Sequence, residues 1–441
     1  MKKIKPALLL ILIFFTFSSI SYSEITENVE NGDDLRYDRE LLIQARDNFI
    51  AENGDLPVKQ ITIRGLTRTK ESVILNESEI SAGVKLSAFN PHQFINRLKK
   101  KNIFTDIHIN YIKESESVII ELSLNEKWTI IPLPMFYSNG ETMQYGLYIL
   151  ESNFLGYGKT VFAGGTYSEK SKSAIFGFMD PSILGSDFIA NIFFIYKDSI
   201  LQNGTMEKVI FSEYSSRQKI AHVDAGYAIS KEIRLFLSGG YNEAAVDYTY
   251  SDSLNAPDSE KFYLSGAVFR FDFLKYYEYL YYGLKGEVKY YSHIPADEGK
   301  EYNTADYKID YSHKLFNFHR ITFFSAGSAG NKPSVLEDRI SGKTGTRTLP
   351  ADIISADNYI NYSAVYEYPF LRLNWGAVTL LGLWEQGTYN KDHSPYVNYY
   401  GPGCGVLFYL KRVAFPAVGF NYARNLKTVN NEFSVNVGFT F

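Results

Sequence analysis

A single cysteine, Cys404, stands in the 441-residue chain, so no intramolecular disulfide framework and no CxxC or zinc-ligand pattern can form. Its place between Gly403 and Gly405 marks it as a small filler residue. Net charge is almost absent. The 45 Lys and Arg against 49 Asp and Glu leave −4, which gives a nucleic acid nothing to bind. Long hydrophobic runs are missing too, and a mean hydropathy of −0.18 argues against a bundle of membrane-spanning helices. The apolar run Ala7 to Phe17 is eleven residues long, where a membrane helix needs ~20. Catalytic patterns are also wanting. There is no GxSxG, and the seven His, among them His293, His313 and His319, are scattered without metal-ligand clustering. Asp33 and Asp34 adjoin in a polar stretch where solvation is the default. No enzyme, cofactor, metal site or nucleic-acid partner is indicated.

The excess is aromatic. With 35 Tyr, 32 Phe and 3 Trp, 16% of the chain is aromatic, and 32 Gly add many turns, a profile of β-structure. The N-terminus has the form of an export signal over 1–23. Lys2, Lys3 and Lys5 precede the apolar run, and Ser21 and Ser23 supply small residues at −3 and −1 of a cut before Glu24. No cysteine follows the run, so a lipoprotein anchor is not expected.

Residues 24–55 read as an acidic linker with a short amphipathic helix over Asp38 to Ile50, where Leu41, Leu42, Ala45 and Phe49 fall at helical spacing and Gly54 ends it. Residues 56–127 are mixed. Val58 to Ile63 alternates as a strand, Glu71 to Asn76 is helical with Thr69 as its cap, and Pro91 opens a second helix with Phe94, Ile95 and Leu98 on one side. Lys99, Lys100 and Lys101 close that helix at the negative end of its dipole. Ile107, Ile109 and Tyr111, then Val118 to Leu124, make two further strands. The order β-α-α-β-β describes a small soluble α+β module.

From residue 128 to 441 helical periodicity gives way to period-two segments between turn residues. Phe433, Val435, Val437, Phe439 and Phe441 share one face of the last segment; Ser434, Asn436, Gly438 and Thr440 share the other. Lys285, Glu287 and Lys289 alternate with Leu284, Gly286 and Val288. Every strand has one apolar and one hydrated face, and no other element is available to cover the apolar ones. Lipid covers them in a transmembrane β-barrel, closure satisfies the strand edges, and Tyr and Phe suit the interfacial girdles. Sixteen antiparallel strands are expected, near 129–137, 142–151, 158–168, 172–180, 186–198, 206–228, 233–248, 260–273, 280–292, 303–314, 318–328, 357–369, 375–387, 400–411, 413–423 and 432–441. The segment 206–228 is too long for one crossing and is expected to contain a loop. Short connections follow even strands and longer ones follow odd strands, which puts both termini in the periplasm. The longest connection, about 329–356, follows strand 11.

An α+β module before a sixteen-stranded barrel resembles the BamA/TamA superfamily of outer-membrane surface-antigen barrels, which includes the two-partner-secretion transporters. Residues 56–127 look like one POTRA (polypeptide-transport-associated) domain, with Gly83 before the second helix, Phe104-Thr105-Asp106-Ile107 after it and Asn125-Glu126-Lys127 at the exit. Asn153-Phe154-Leu155-Gly156-Tyr157-Gly158 is similar to the family turn after strand 2, and Asp180-Pro181 to the turn after strand 4. Phe441, with Phe439 and Val437 behind it, looks like the terminal signal that marks outer-membrane barrels for assembly. In the sixth external loop the family carries [VI]-R-G-[FY]. Thr346-Arg347-Thr348-Leu349 keeps the arginine and loses the glycine and the aromatic. The resemblance implies that Arg347 enters the lumen and pairs with Glu385 of Trp384-Glu385-Gln386-Gly387 on strand 13, with Arg339 the lesser alternative.

The implied function is protein assembly or translocation in the outer membrane. The POTRA edge would take an extended client by β-augmentation, and a lateral seam between the first and last strands would open. Pro132 and Pro134 in the first strand, and Gly438 in the last, weaken that seam. The implied partners are outer-membrane lipids, unfolded β-barrel or secreted clients, and periplasmic chaperones or lipoproteins. A two-partner-secretion transporter, with 38–50 as its plug helix, and a passive pore are the alternatives.

Overall fold

The computed structural model describes residues 45–101, 103–138, 142–249, 257–277, 280–316, 318–340, 346–350, 352–373, 376–391, 394–410 and 416–437. The expected export signal, most of the linker, and Gly438, Phe439 and Phe441 lie outside these residues. The chain forms two compact units. One holds the described residues up to Thr62 with Ile80–Phe89 and Ile109–Leu122; the other holds Ile63–Glu79, Asn90–His108 and the described residues from Ser123 onward.

A helix, α1, spans 45–53 in the first unit. Asn53 Nδ2 donates to the Phe49 carbonyl at 3.0 Å, and the Phe49 ring stacks on Tyr111 with centroids 5.1 Å apart. Tyr111 belongs to β2 (Phe104–Glu114) of a three-stranded sheet ordered β1–β3–β2, with β1 at Val58–Arg64 and β3 at Ser117–Glu126. Strand β3 shows why this segment pleats: Val118, Ile120, Leu122 and Leu124 are buried on one face, while Ser123 and Asn125 between and beyond them are exposed.

Helices α2 (Glu71–Ser78) and α3 (Pro91–Lys101) belong to the second unit. The N-cap of α2 is Lys70, without a side-chain cap, because Thr69 is held elsewhere. The Asn90 side chain accepts the Gln93 amide at 3.0 Å at the start of α3, Pro91 fits its first turn, and Phe94 and Leu98, four apart, are buried together.

The barrel is closed and has sixteen antiparallel strands. They are β4 (Ile130–Ser138), β5 (Met143–Phe154), β6 (Lys159–Ser168), β7 (Ser171–Asp180), β8 (Phe188–Gly204), β9 (Ile210–Ala228), β10 (Ile233–Thr249), and β11 (Glu260–Asp272) with its three-residue continuation β12 (Lys275–Tyr277). Next come β13 (Leu280–Pro295), β14 (Tyr302–Lys314) and β15 (Arg320–Gly330), and then β16 (Asp338–Arg339) and β17 (Ser355–Ala356), which pair with each other inside the long connection. The wall ends with β18 (Asn358–Arg372), β19 (Gly376–Asn390), β20 (Val397–Leu410), β21 (Pro416–Arg424) and β22 (Asn431–Val437). Among the described residues no helix is long and apolar enough to cross a membrane.

The loop expected within 206–228 is the turn over 205–209, at the start of that segment. Ile210–Ala228 is a single strand of 19 residues, paired with β8 from Phe188↔Tyr227 to Gly204↔Ile210. Its upper part continues past the tyrosine level into an ionic ladder, with Lys219 beside Glu243 and Arg217 beside Asp247. Cross-strand charge therefore supports the length that a single crossing does not require.

Alternation sorts the two faces. On β19, Leu381, Leu383 and Glu385 point inward and are buried, while Leu380 and Trp384 point outward and are exposed. Lys285, Glu287 and Lys289 line the lumen with their β14 partners Asp310, Lys308 and Asp306. Outward, Leu147, Phe194, Val223, Leu235, Leu237, Phe323 and Phe433 are exposed, a surface that lipid covers. Tyrosine pairs mark the end with the long connections, Tyr145–Tyr167 at 5.5 Å and Tyr241–Tyr263 at 5.7 Å. At the short-turn end Phe188 and Tyr227 meet at 5.4 Å. Cys404 is exposed on the outward face of β20, so it is a lipid-facing residue rather than an interior filler. Leu237 lies midway between Ile233 and the Tyr241 girdle on that same outer face. Leu237→Arg is expected to cost about 2–4 kcal/mol in denaturant unfolding from lipid bilayers, and Lys308→Gln on the water-exposed lumen side less than ~1 kcal/mol.

Candidate functional site: the lumenal loop anchor, the seam and the turn clamp

The described residues of the connection 331–357 pack inside the barrel and are held at both walls. Glu385, fully buried on β19, grips it. Its carboxylate accepts the Arg347 amide at 3.0 and 2.8 Å, the Thr348 amide at 3.0 Å and the Thr348 hydroxyl at 2.5 Å. Arg347 meets Glu385 through its backbone amide, where the resemblance implied a pairing through its side chain. The guanidinium is not ion-paired to Glu385, and its Nη1 is buried without a hydrogen-bond partner. Two successive amides converging on one carboxylate neutralise its charge with dipoles already fixed by the chain. A tetrahedral hydroxyl at Thr348 completes what the side chain of Arg347 does not supply.

Gly387, two residues along β19, clears space. A Cβ there would lie 2.3 Å from the Tyr399 hydroxyl and 2.5 Å from the Ile360 carbonyl. The Tyr399 ring lies over it, its hydroxyl donating to Asn361 Oδ1 at 3.1 Å, and packs in one apolar cluster with Leu349, Ile353, Ile354 and Tyr389. Arg339 reaches the opposite wall. Its guanidinium donates to the Gln202 carbonyl of β8 and, at 3.4 Å, to the Tyr214 hydroxyl of β9. Val335 packs there against Tyr214 and Ala244. The loop thus spans the lumen from β8–β10 to β18–β20.

A second buried charge escaped the sequence reading. Arg320 and Glu367, cross-strand partners on β15 and β18, form an ion pair, and Tyr409 of β20 bridges them, accepting from Arg320 at 3.0 Å and donating to Glu367 at 2.8 Å. The guanidinium lies 4.8 Å from the centre of the Tyr281 ring. Apolar residues of the lumen wall, Leu280, Val365, Leu381 and Leu407, surround the trio. Both charges have the inward parity of their strands, so the signal was available once register was known.

At the seam, β22 pairs with β4 through Val435↔Ser138, Asn436↔Tyr137 and Val437↔Phe136, three pairs among the described residues, where β21 and β22 share seven. Pro132 and Pro134 lie on β4 opposite Ile149 and Leu147 of β5, one turn of the pleat before the stretch that meets β22, and neither has an amide for a ladder bond.

The turn Asn153–Gly158 forms a clamp on residues 67–70. Asn153 Nδ2 donates to Thr69 Oγ1 at 2.9 Å while its Oδ1 accepts the Gly158 amide at 2.9 Å, and the Gly156 carbonyl accepts the Lys70 amide at 2.8 Å. Gly156 has φ +79, and a Cβ on it would stand 2.1 Å from the Arg68 carbonyl, so only glycine fits. From the other side Glu126 accepts Thr67 Oγ1 at 2.6 Å, the Arg68 amide at 2.9 Å and the Thr69 amide at 2.7 Å. Partial burial pushes the Glu126 carboxyl up, but these bonds outweigh it and hold the group down at about 2. Within the same unit, α2 and α3 engage the next short turns. Asn76 donates to Ser182 at 2.8 Å, Arg97 pairs with Glu232 at 3.5 Å, and Lys100 bonds Asp272 at 2.9 Å.

No family model matches the chain, and no curated protein sequence matches it. Solved structures do. A sixteen-stranded transmembrane barrel with a lumenal loop anchored on its thirteenth strand is the class that the fold defines. Within that class the chain has the BamA/TamA-type barrel fold. It is similar to BamA from Haemophilus ducreyi lacking POTRA domains 1–3, at 14% identity and TM-score 0.58 over 87% of this chain and 85% of that one. It is also similar to CdiB from Escherichia coli, at 13% and 0.64 over 88% and 77%, and to CdiB from Acinetobacter baumannii, at 14% and 0.60 over 88% and 74%.

Two predictions separate the roles. Glu385→Ala strands two buried amides, each worth about 1–3 kcal/mol, and is expected to raise hydrogen exchange across 346–350. Arg347→Ala, which keeps the amide, is expected to leave it near wild type, whereas Arg347→Pro is expected to behave like Glu385→Ala. For Glu126 the folded pKa lies below its ordinary 4.5, so its stabilising contribution is complete above about pH 5 and is lost as pH falls toward 2. Exchange at 67–70 is expected to rise over that window in wild type and to be flat with pH in Glu126→Gln.

Proposed function

We propose that the chain inserts proteins into the bacterial outer membrane or moves them across it. The observation that carries this reading is the Glu385 carboxylate, which fixes the described part of the long connection on the inside of the closed wall. The BamA-type fold, with a loop held in the lumen, supports the same reading. Residues 56–127 act as a single POTRA-like domain in the periplasm. Their edge strand β2, free on the outer side of the β1–β3–β2 sheet, takes an extended client by main-chain hydrogen bonds. Outer-membrane lipids surround the barrel, and unfolded barrels or secreted proteins are its clients, delivered by periplasmic chaperones or held with lipoproteins. Phe439 and Phe441, with Val437, serve as the chain's own assembly signal, and Gly438, Pro132 and Pro134 ease the opening of the seam.

Between the two activities, insertion is favoured by α1. The segment that a secretion transporter would use as a plug has Phe49 stacked on Tyr111 of β2 in its described part. A passive pore is disfavoured by the loop anchored through Glu385. Conditional depletion followed by quantitative outer-membrane proteomics is expected to lower many β-barrel proteins. Loss of one secreted product alone would assign the chain to dedicated translocation, and an unchanged outer-membrane proteome would overturn both activities in favour of a pore.

A further inference from the structure

The connection between β8 and β9 is short, yet it is not a solvated turn. Thr205 and Val209 close it with an amide-to-carbonyl bond of 3.0 Å, and Lys208 turns the chain at φ +64. Met206, at its tip, is 5% exposed and packs in the same apolar cluster as Ile340, Leu349, Ile353 and Tyr399. The Gly204 amide donates to the Ile353 carbonyl at 2.8 Å, which fastens the turn to the lumenal loop. Its other contacts run to the last hairpin. Asn430 Nδ2 donates to the Met206 carbonyl at 2.5 Å, the fully buried Asn425 places its Nδ2 3.8 Å from the Met206 sulfur, and Lys208 Nζ lies 3.2 Å from Glu432 Oε1 on β22.

We propose that residues 204–209 form a strap that ties the lumenal loop to the hairpin β21–β22, so that the seam and the loop open together or not at all. Asn430 and Glu432 are rigidly part of that hairpin, being at and just inside the start of β22. Moving β22 away from β4 must either break the Asn430 and Lys208 contacts or drag Met206 out of the cluster that holds Leu349 and Ile353. A buried methionine has many partners to lose at once, so the strap adds its own hold on β22 to that of the seam ladder. The strap stands on these contacts alone and is independent of which client the barrel serves.

Hydrogen exchange on the full chain in lipid nanodiscs tests it, with heat-shifted gel migration confirming a folded barrel. Lys208→Glu sets two like charges together, and Met206→Gly empties the cluster. Each is expected to speed exchange about tenfold both in 431–437 and in 346–356, the scale of a local opening that has lost one such anchor, while 143–180 stays unchanged. The exchanged pair Lys208→Glu with Glu432→Lys is expected to restore wild-type protection in both segments. Unchanged exchange in both single variants would overturn the strap. So would acceleration confined to 431–437, which leaves the loop uncoupled, acceleration spread through 143–180, or a charge exchange that restores nothing.

Discussion

Closure is the constraint on which the rest of this molecule depends. Inside a lipid layer an unmet strand edge costs several kcal/mol for each amide, so sixteen strands must return on themselves. Most joints meet that demand generously, with β8 and β9 in register from Phe188 to Gly204. The last joint, β22 with β4, pairs Val435 with Ser138, Asn436 with Tyr137 and Val437 with Phe136. The Lys208–Glu432 pair and the Asn430 bond to Met206 add side-chain contacts to the strand that makes this joint.

Closure also creates an interior, and the interior is two-sided. Strands β9 to β14 turn Arg270, Glu287, Lys289 and Lys308 inward as an ionic wall, with the buried Asp224 bonded among Asn191, His222 and Ser238. Strands β18 to β20 instead present Leu381, Leu383, Leu407 and Tyr399, with the charges of Glu367 and Glu385 each satisfied by dedicated partners. The long connection uses this asymmetry: Arg339 reaches backbone and hydroxyl oxygens on one side, and Leu349 and Ile353 sink into the apolar cluster on the other. A carboxylate buried against bare amides is costly to leave unpaired, which is why Glu385 defines the loop's position more sharply than any apolar contact does.

Much of the wall was legible because the period-two rule is local. Leu284, Gly286 and Val288 against Lys285, Glu287 and Lys289 told outside from inside before any strand had a neighbour, and most strand ends were placed to within a few residues. The segment 206–228 was too long for one strand because its first residues belong to the 205–209 turn, and β9 still reaches 19 residues because Arg217 and Lys219 stand beside Asp247 and Glu243. Thr69, read as a helix cap, instead donates its amide to Glu126 and accepts the Asn153 side-chain amide on its hydroxyl, two partners far away in the chain. Arg347 was found and its mode of contact was not, since a backbone amide carries no residue-specific signature.

The sequence by itself determined the barrel and the alternation of its faces, because both follow from side-chain period. The 153–158 turn and Glu385 as the loop's partner came from the family resemblance, and the left-handed Gly156 shows what that turn demands of its residues. Only the tertiary structure decided that Arg320 and Glu367 meet, that Met206 belongs to the lumenal cluster, and that Lys208 faces Glu432. Those pairs are set by strand register and by the curvature of the closed wall, which bring together residues as distant in the chain as Met206 and Asn430, 224 positions apart. No local pattern of residues encodes a distance measured across a lumen.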